Sequence, residues 1–218
     1  MTRFPRIALG LAMAATAIAS LSGMASAEGM TATGFYETAR IETPLGDKDY
    51  DGLRFDIDGD HASGVVYEVK LRAGDLDGVA MKSIDTEMAW HYRDLVGPKL
   101  SYSHAVSGGA HAEETLAGLS GKYDLANGIG LYGDAMTDLD NFGDDLNVSL
   151  GSSWAANDDL TLWGEIENAS IGTDSETGTI GATYRISGTM HVDGRVALKD
   201  TDAGVSMKGA AMGLGFSF

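Results

Sequence analysis

Several short constellations in the chain place chemically capable side chains at suggestive spacings. Asp47-Lys-Asp49-Tyr-Asp51-Gly52, continuing to Asp58, matches D-x-D-x-D-G with an acid at the twelfth position. Oxygen ligands at the first, third and fifth positions around a glycine turn can wrap Ca²⁺. Both flanks here read as strands rather than helices, and Asp58 is needed by the second of them, so an acidic exposed loop is expected. His104 and His111 would face each other across a two-residue turn at Ser107-Gly108, with Glu113 and Glu114 nearby in sequence. Two imidazoles still need further ligands to hold Zn²⁺, Cu²⁺ or Ni²⁺, so a solvated loop is expected there. Gly118-Leu-Ser120-Gly121-Lys122 has neither G-x-S-x-G nor Walker spacing. Asp85 and His91 fall about 20 Å apart along one strand, too far for a dyad. No covalent chemistry, metal or cofactor is expected, and the chain does not read as an enzyme.

Composition narrows the classes further. The chain has 218 residues with no Cys, 30 Gly and 3 Pro, and 32 acidic against 15 basic residues give a net charge of −17. Without cysteine there is neither a disulfide framework nor a thiolate metal site. A strongly acidic chain does not neutralise phosphates, so nucleic acid is not an expected partner. A hydrophobic content of 44% is that of a folded protein.

Residues 1–27 read as an export leader. Arg3 and Arg6 supply a positive start, Ile7 to Met24 is an apolar run, and Ala25-Ser26-Ala27 fits small-x-small cleavage before Glu28. No basic stop-transfer flank or cysteine follows, which argues against a retained anchor helix or a lipoprotein. Removing the leader and its two arginines takes the charge from −17 to −19.

Beyond the leader no stretch approaches the ~20 apolar residues of a membrane helix, and the recurring period is two. Leu53, Phe55 and Ile57 alternate with Arg54, Asp56 and Asp58. Tyr67, Val69 and Leu71 alternate with Glu68, Lys70 and Arg72. Such alternation gives a sheet one apolar and one charged face. It predicts twelve strands, at 31–41, 52–58, 64–73, 83–92, 99–106, 113–124, 128–137, 145–155, 160–169, 175–186, 189–198 and 205–218, with ten as the alternative count. Glu42–Asp51, Ala73–Lys82, Asp138–Asp144 and Lys199–Gly204 read as longer acidic connections. Residues 61–63, 126–127, 156–159 and 187–188 read as short turns.

Alternation fits a soluble barrel with its apolar face inside and a membrane barrel with that face outside. The aromatics favour the second. Trp90, Tyr92, Tyr123, Trp154, Tyr184, Phe216 and Phe218 end successive even-numbered strands, and Tyr102 begins the fifth strand at the same level, as in an interfacial girdle. The last segment, Met212-Gly-Leu-Gly-Phe-Ser-Phe218, resembles the terminal strand signature of Gram-negative outer-membrane β-barrels. The units 123–133 and 154–164 resemble strand–turn–strand units of porin-like proteins. The resemblance implies an all-β, antiparallel transmembrane barrel over residues 28–218, located in the bacterial outer membrane. Its implied partners are membrane lipid, lipopolysaccharide and the barrel-assembly machinery, the last engaging the strand that ends at Phe218. General trimeric porins are longer, and their Pro-Glu-Phe-Gly-type constriction loop has no match here.

On this assignment the interior carries Arg54, Asp56, Glu68, Lys70, Arg72, Asp85, Glu87, Arg93, Lys122, Asp134, Glu165, Arg185, Asp193 and Arg195, with Glu114, Asp124 and Glu167 on the same face. Both signs are present and acids prevail. The expected function is passive diffusion of ions or small hydrophilic solutes with a cation preference. The alternative is an interior plugged by its own ion pairs, with acidic outer loops binding an outside partner.

Overall fold

The computed structural model describes residues 29–61, 64–92, 95–140, 146–169 and 174–218. The leader, Arg93, Asp144 and most of the 138–144 connection lie outside the described residues. The strands are β1 (Met30–Glu42), β2 (Lys48–His61), β3 (Val65–Leu76), β4 (Val79–Trp90), β5 (Val96–Ser107), β6 (Ala110–Leu125), β7 (Ile129–Asp138), β8 (Leu146–Ala155), β9 (Leu160–Ala169), β10 (Ser175–Arg185), β11 (Met190–Thr201) and β12 (Ser206–Ser217). Every strand pairs antiparallel with its chain neighbours, and β1 closes on β12 from Thr31↔Ser217 to Glu42↔Ser206. Closure removes both sheet edges, and with them the unpaired backbone groups that lipid could not satisfy. Twelve strands are present, which settles the count against ten.

Following the paired positions once around the ring returns to β1 displaced by about 14 residues. For twelve strands that stagger corresponds to a tilt of about 40° and a mean backbone radius of about 11 Å.

The sequence underestimates the strands at their acidic ends. Ala73–Lys82 is not a long connection: β3 runs to Leu76, β4 starts at Val79, and Asp77-Gly78 form the whole turn. Asp77 and Gly78 both take positive φ, 49° and 87°, the geometry of a tight primed hairpin turn. Glu42–Asp51 likewise shrinks, since β2 begins at Lys48, and β11 continues through Lys199 to Thr201. Acids signalled loops in the sequence, but backbone pairing tolerates them where one strand face reaches water near a rim.

Some glycines are required by close approach. A Cβ at Gly118 would overlap the Ala135 carbonyl oxygen across the β6–β7 ladder. Backbone cannot yield there without loss of pairing, so Gly118→Val is expected to cost about 2 kcal/mol or more. The measurement is the fraction of refolded protein that migrates as a compact band on an unheated denaturing gel. An unchanged fraction, together with an unchanged urea midpoint, would contradict this.

Candidate functional site

Ion pairs that reach over an intervening strand form most readily on the concave inner face, and Arg54, 3% exposed beside Glu37, marks that face. Arg195 on β11 reaches Glu37 on β1 at 2.9 Å, and Lys99 on β5 reaches Asp134 on β7 at 2.7 Å. Strand parity then assigns the remaining positions. The outer face carries Leu71, Leu119, Leu131, Leu150, Ile166, Ile180, Val196 and Met212, with Ile166 and Ile180 66% and 65% exposed. Trp90, Tyr123, Trp154 and Tyr184 stand on the same face near the rim that holds both chain ends. Tyr102 does not join them: it lies mid-strand, opposite Thr86 and Thr115. The polarity is that of a barrel surrounded by lipid: apolar outside, charged inside.

The inner face carries Arg54, Asp56, Glu68, Lys70, Arg72, Asp85, Glu87, Lys122, Asp134, Glu165, Arg185, Asp193 and Arg195. Its centre on one wall is Glu37, a residue sequence reasoning missed. Glu37 contacts Arg54 at 2.9 Å, Arg195 at 2.9 Å and Arg72 at 3.8 Å. Arg54 also meets Asp56 at 2.7 Å, and Arg72 donates to Asp85 at 3.0 Å. The Phe35 ring lies against both the Arg54 and the Arg195 guanidinium, 4.2 and 5.1 Å from its ring centre, a doubled cation–π contact. Arg54 is the buried charge of the group, held by two carboxylates, while Arg72 and Arg195 keep partial access to water.

Across the ring from β3, the wall built by β9 presents Glu165 and Glu167, while Glu114 stands on β6. These three acids have no ion-pair partner among the described residues, and neither do the inward Arg185 and Lys199. The wall with the neutralised arginines thus faces one whose acids have no ion-pair partner among the described residues, and Asp58 on β2 adds a further inward acid without one.

Toward the rim with the chain ends, Lys99 is held by Glu87 at 2.6 Å and Asp134 at 2.7 Å. Lys70 pairs Glu68 at 2.7 Å, His91 hydrogen-bonds the Ser120 hydroxyl at 3.0 Å, and His191 meets Asp193 at 3.0 Å. A cavity of about 230 Å³ lies among Glu68, Glu87, Lys99, Lys122, Tyr132 and Asp134.

Phe35, Tyr50, Tyr132 and Trp163 also face inward, and each ring covers a glycine of a neighbouring strand: Gly213, Gly74, Gly151 and Gly181. A side chain at any of those glycines would collide with the ring. This pairing accounts for part of the high glycine content, and it recurs on the outer face, where Tyr67 covers Gly59.

The other constellations do not assemble. Asp49 and Asp51 lie on β2 opposite Arg40 and Thr38, Asp47 pairs Arg40, and Asp51 accepts a hydrogen bond from the Tyr36 hydroxyl at 2.9 Å. The three acids are thus spread along a strand end rather than wrapped around a centre. The β5–β6 turn is Gly108-Gly109, not Ser107-Gly108, which slides the register and puts His104 opposite Glu113 and His111 opposite Val106. The two imidazoles stand diagonally, 5.8 Å between ring centres, and His104 Nδ1 lies 3.0 Å from Glu113. Among the described residues no group of three or more ligating side chains could hold a metal ion.

No protein-family model matches the sequence, and no curated protein matches it. Solved structures do. A KdgM porin in complex with disordered oligogalacturonate superposes with a TM-score of 0.59 at 11% identity, covering 85% of this chain and 99% of that one. The translocator domain of the autotransporter NalP from Neisseria meningitidis gives 0.59 at 14% identity over 98% of each chain. An outer-membrane channel from Pseudomonas putida F1 gives 0.61 at 10% identity, covering 88% of this chain and 96% of that one. The chain has the closed-barrel fold of outer-membrane porin-like proteins.

Proposed function

We propose that this protein is an outer-membrane channel for passive diffusion of ions and small hydrophilic solutes, with a preference for cations. The fold is shared by porins and by an autotransporter translocator, so the reading rests on the interior rather than on the fold. The observation that carries it is the facing pair of walls. Glu37 and its neighbours neutralise the arginines, which leaves Glu114, Glu165 and Glu167 to attract cations into a hydrated interior. A backbone diameter of about 22 Å leaves a gap of several ångströms between side chains extending from both walls. One similar porin is described with oligogalacturonate, an acidic sugar; the acid excess here disfavours an anionic solute of that kind.

The rim holding both chain ends faces the periplasm in this reading, and residues 1–27 are removed on export. The strand ending at Phe218 engages the assembly machinery, and the outer face meets lipid and lipopolysaccharide. Diffusion needs no catalytic residue. Surface interaction through acidic outer loops is the weaker alternative, because two of the connections at that rim are the two-residue turns Asp77-Gly78 and Gly108-Gly109.

Swelling of liposomes carrying the refolded barrel tests the reading. Fast swelling in small neutral sugars and slow swelling in larger ones is expected. No swelling in any sugar, with the barrel inserted, would contradict it.

A further inference from the structure

One contact spans the interior farther than its side chains would reach in a round barrel. Lys122 Nζ on β6 lies 3.1 Å from Asp60 Oδ2 on β2, with three strands between them on the shorter path around the ring. On a circular barrel of about 11 Å radius these two backbone positions, at nearly equal height, would stand roughly 19 Å apart. An extended lysine, an aspartate and the gap between their charged atoms cover about 13 Å. The barrel is therefore flattened at this level, and the ion pair lies across its short axis.

The surroundings concentrate other inward groups at the same constriction. Lys99 with Glu87 and Asp134, and His91 with Ser120, approach it from β4, β5, β6 and β7. Both partners of the crossing pair keep access to water: the side chains are 32% and 54% exposed. A solvent-facing pair contributes little to stability. Its position therefore matters more for what passes than for holding the fold.

We propose that the Lys122–Asp60 bridge is the size- and charge-selecting constriction of the channel. It divides the cross-section near the rim that holds the chain ends, so a permeating solute passes beside the bridge or displaces it. Small hydrated cations pass along the acidic side, while solutes wider than the divided lumen are excluded. This rests on the reading of the interior as a channel.

The test is single-channel conductance of the refolded full barrel for wild type, Lys122→Ala, Asp60→Ala and the charge-swapped double variant Asp60→Lys with Lys122→Asp. Each alanine variant turns the divided cross-section into one opening between walls that stay ~13 Å apart, so conductance is expected to rise roughly two-fold, with larger sugars admitted in swelling assays. The swapped pair re-forms the bridge, so its conductance and size limit should return to wild type, a recovery that independent wall positions would not give. Wild-type conductance shared by all four proteins would overturn the proposal while leaving the channel reading intact. Compact, inserted proteins of which none conducts would overturn the channel reading itself, and the constriction with it.

Discussion

Glu37→Ala is expected to destabilise the barrel by about 2 kcal/mol, because it removes charge-assisted contacts to three arginines, of which two keep another carboxylate. Arg54 is the worst affected: only 3% exposed, it keeps Asp56 but loses its contact with Glu37. Arg72 retains Asp85, whereas Arg195 has no second carboxylate partner among the described residues. The two guanidiniums beside the Phe35 ring would then have Asp56 as their one remaining carboxylate among the described ion pairs. Urea unfolding in lipid vesicles, followed by the shift between compact and unfolded gel bands, measures the loss. Glu37→Gln, which keeps the shape and one acceptor, should recover part of it. A midpoint equal to wild type in both variants would show that water and counter-ions, rather than Glu37, neutralise that wall.

The second large effect concerns selectivity. Replacing Glu114, Glu165 and Glu167 together by glutamine removes acids that have no ion-pair partner, so little stability should be lost. Each carboxylate about 10 Å from a passing cation through water lowers its energy by about 0.4 kcal/mol, roughly a two-fold gain in occupancy. Losing three of them should reduce the cation-to-anion permeability ratio several-fold at low salt, and less at high salt where screening is stronger. The reversal potential under a KCl gradient reads this directly. An unchanged potential would place the selectivity elsewhere, with the Lys122–Asp60 constriction the next site to test.

Much of the barrel is legible in the sequence because its two faces obey one simple rule. Arg54, Asp56 and Asp58 alternate with Leu53, Phe55 and Ile57, and no soluble helix or linker shows that period. The strand ends are less legible. Asp75 and Asp77 look like loop residues by composition, yet Asp75 pairs with Asp51 inside the ladder and Asp77 forms half of a two-residue turn. The Glu37 centre was hidden for a different reason. It depends on the stagger that brings β1, β2, β3 and β11 to one height, and stagger is a sum over all twelve registers that no single segment contains. The same holds for the crossing pair: Lys122 reads as an inward charge, but nothing local indicates that Asp60 lies within its reach. His104 and His111 illustrate the finest grain, since shifting one turn from Ser107-Gly108 to Gly108-Gly109 replaces a facing pair with a diagonal one.

The most direct test of the central claim is single-channel current of the wild-type barrel in a planar bilayer, with unequal KCl on the two sides. Discrete conductance steps are expected, with a reversal potential of the sign set by cations moving down their gradient. Reproducible insertion without current would contradict the open interior, and steps with an anion-directed reversal potential would contradict the role given to Glu114, Glu165 and Glu167.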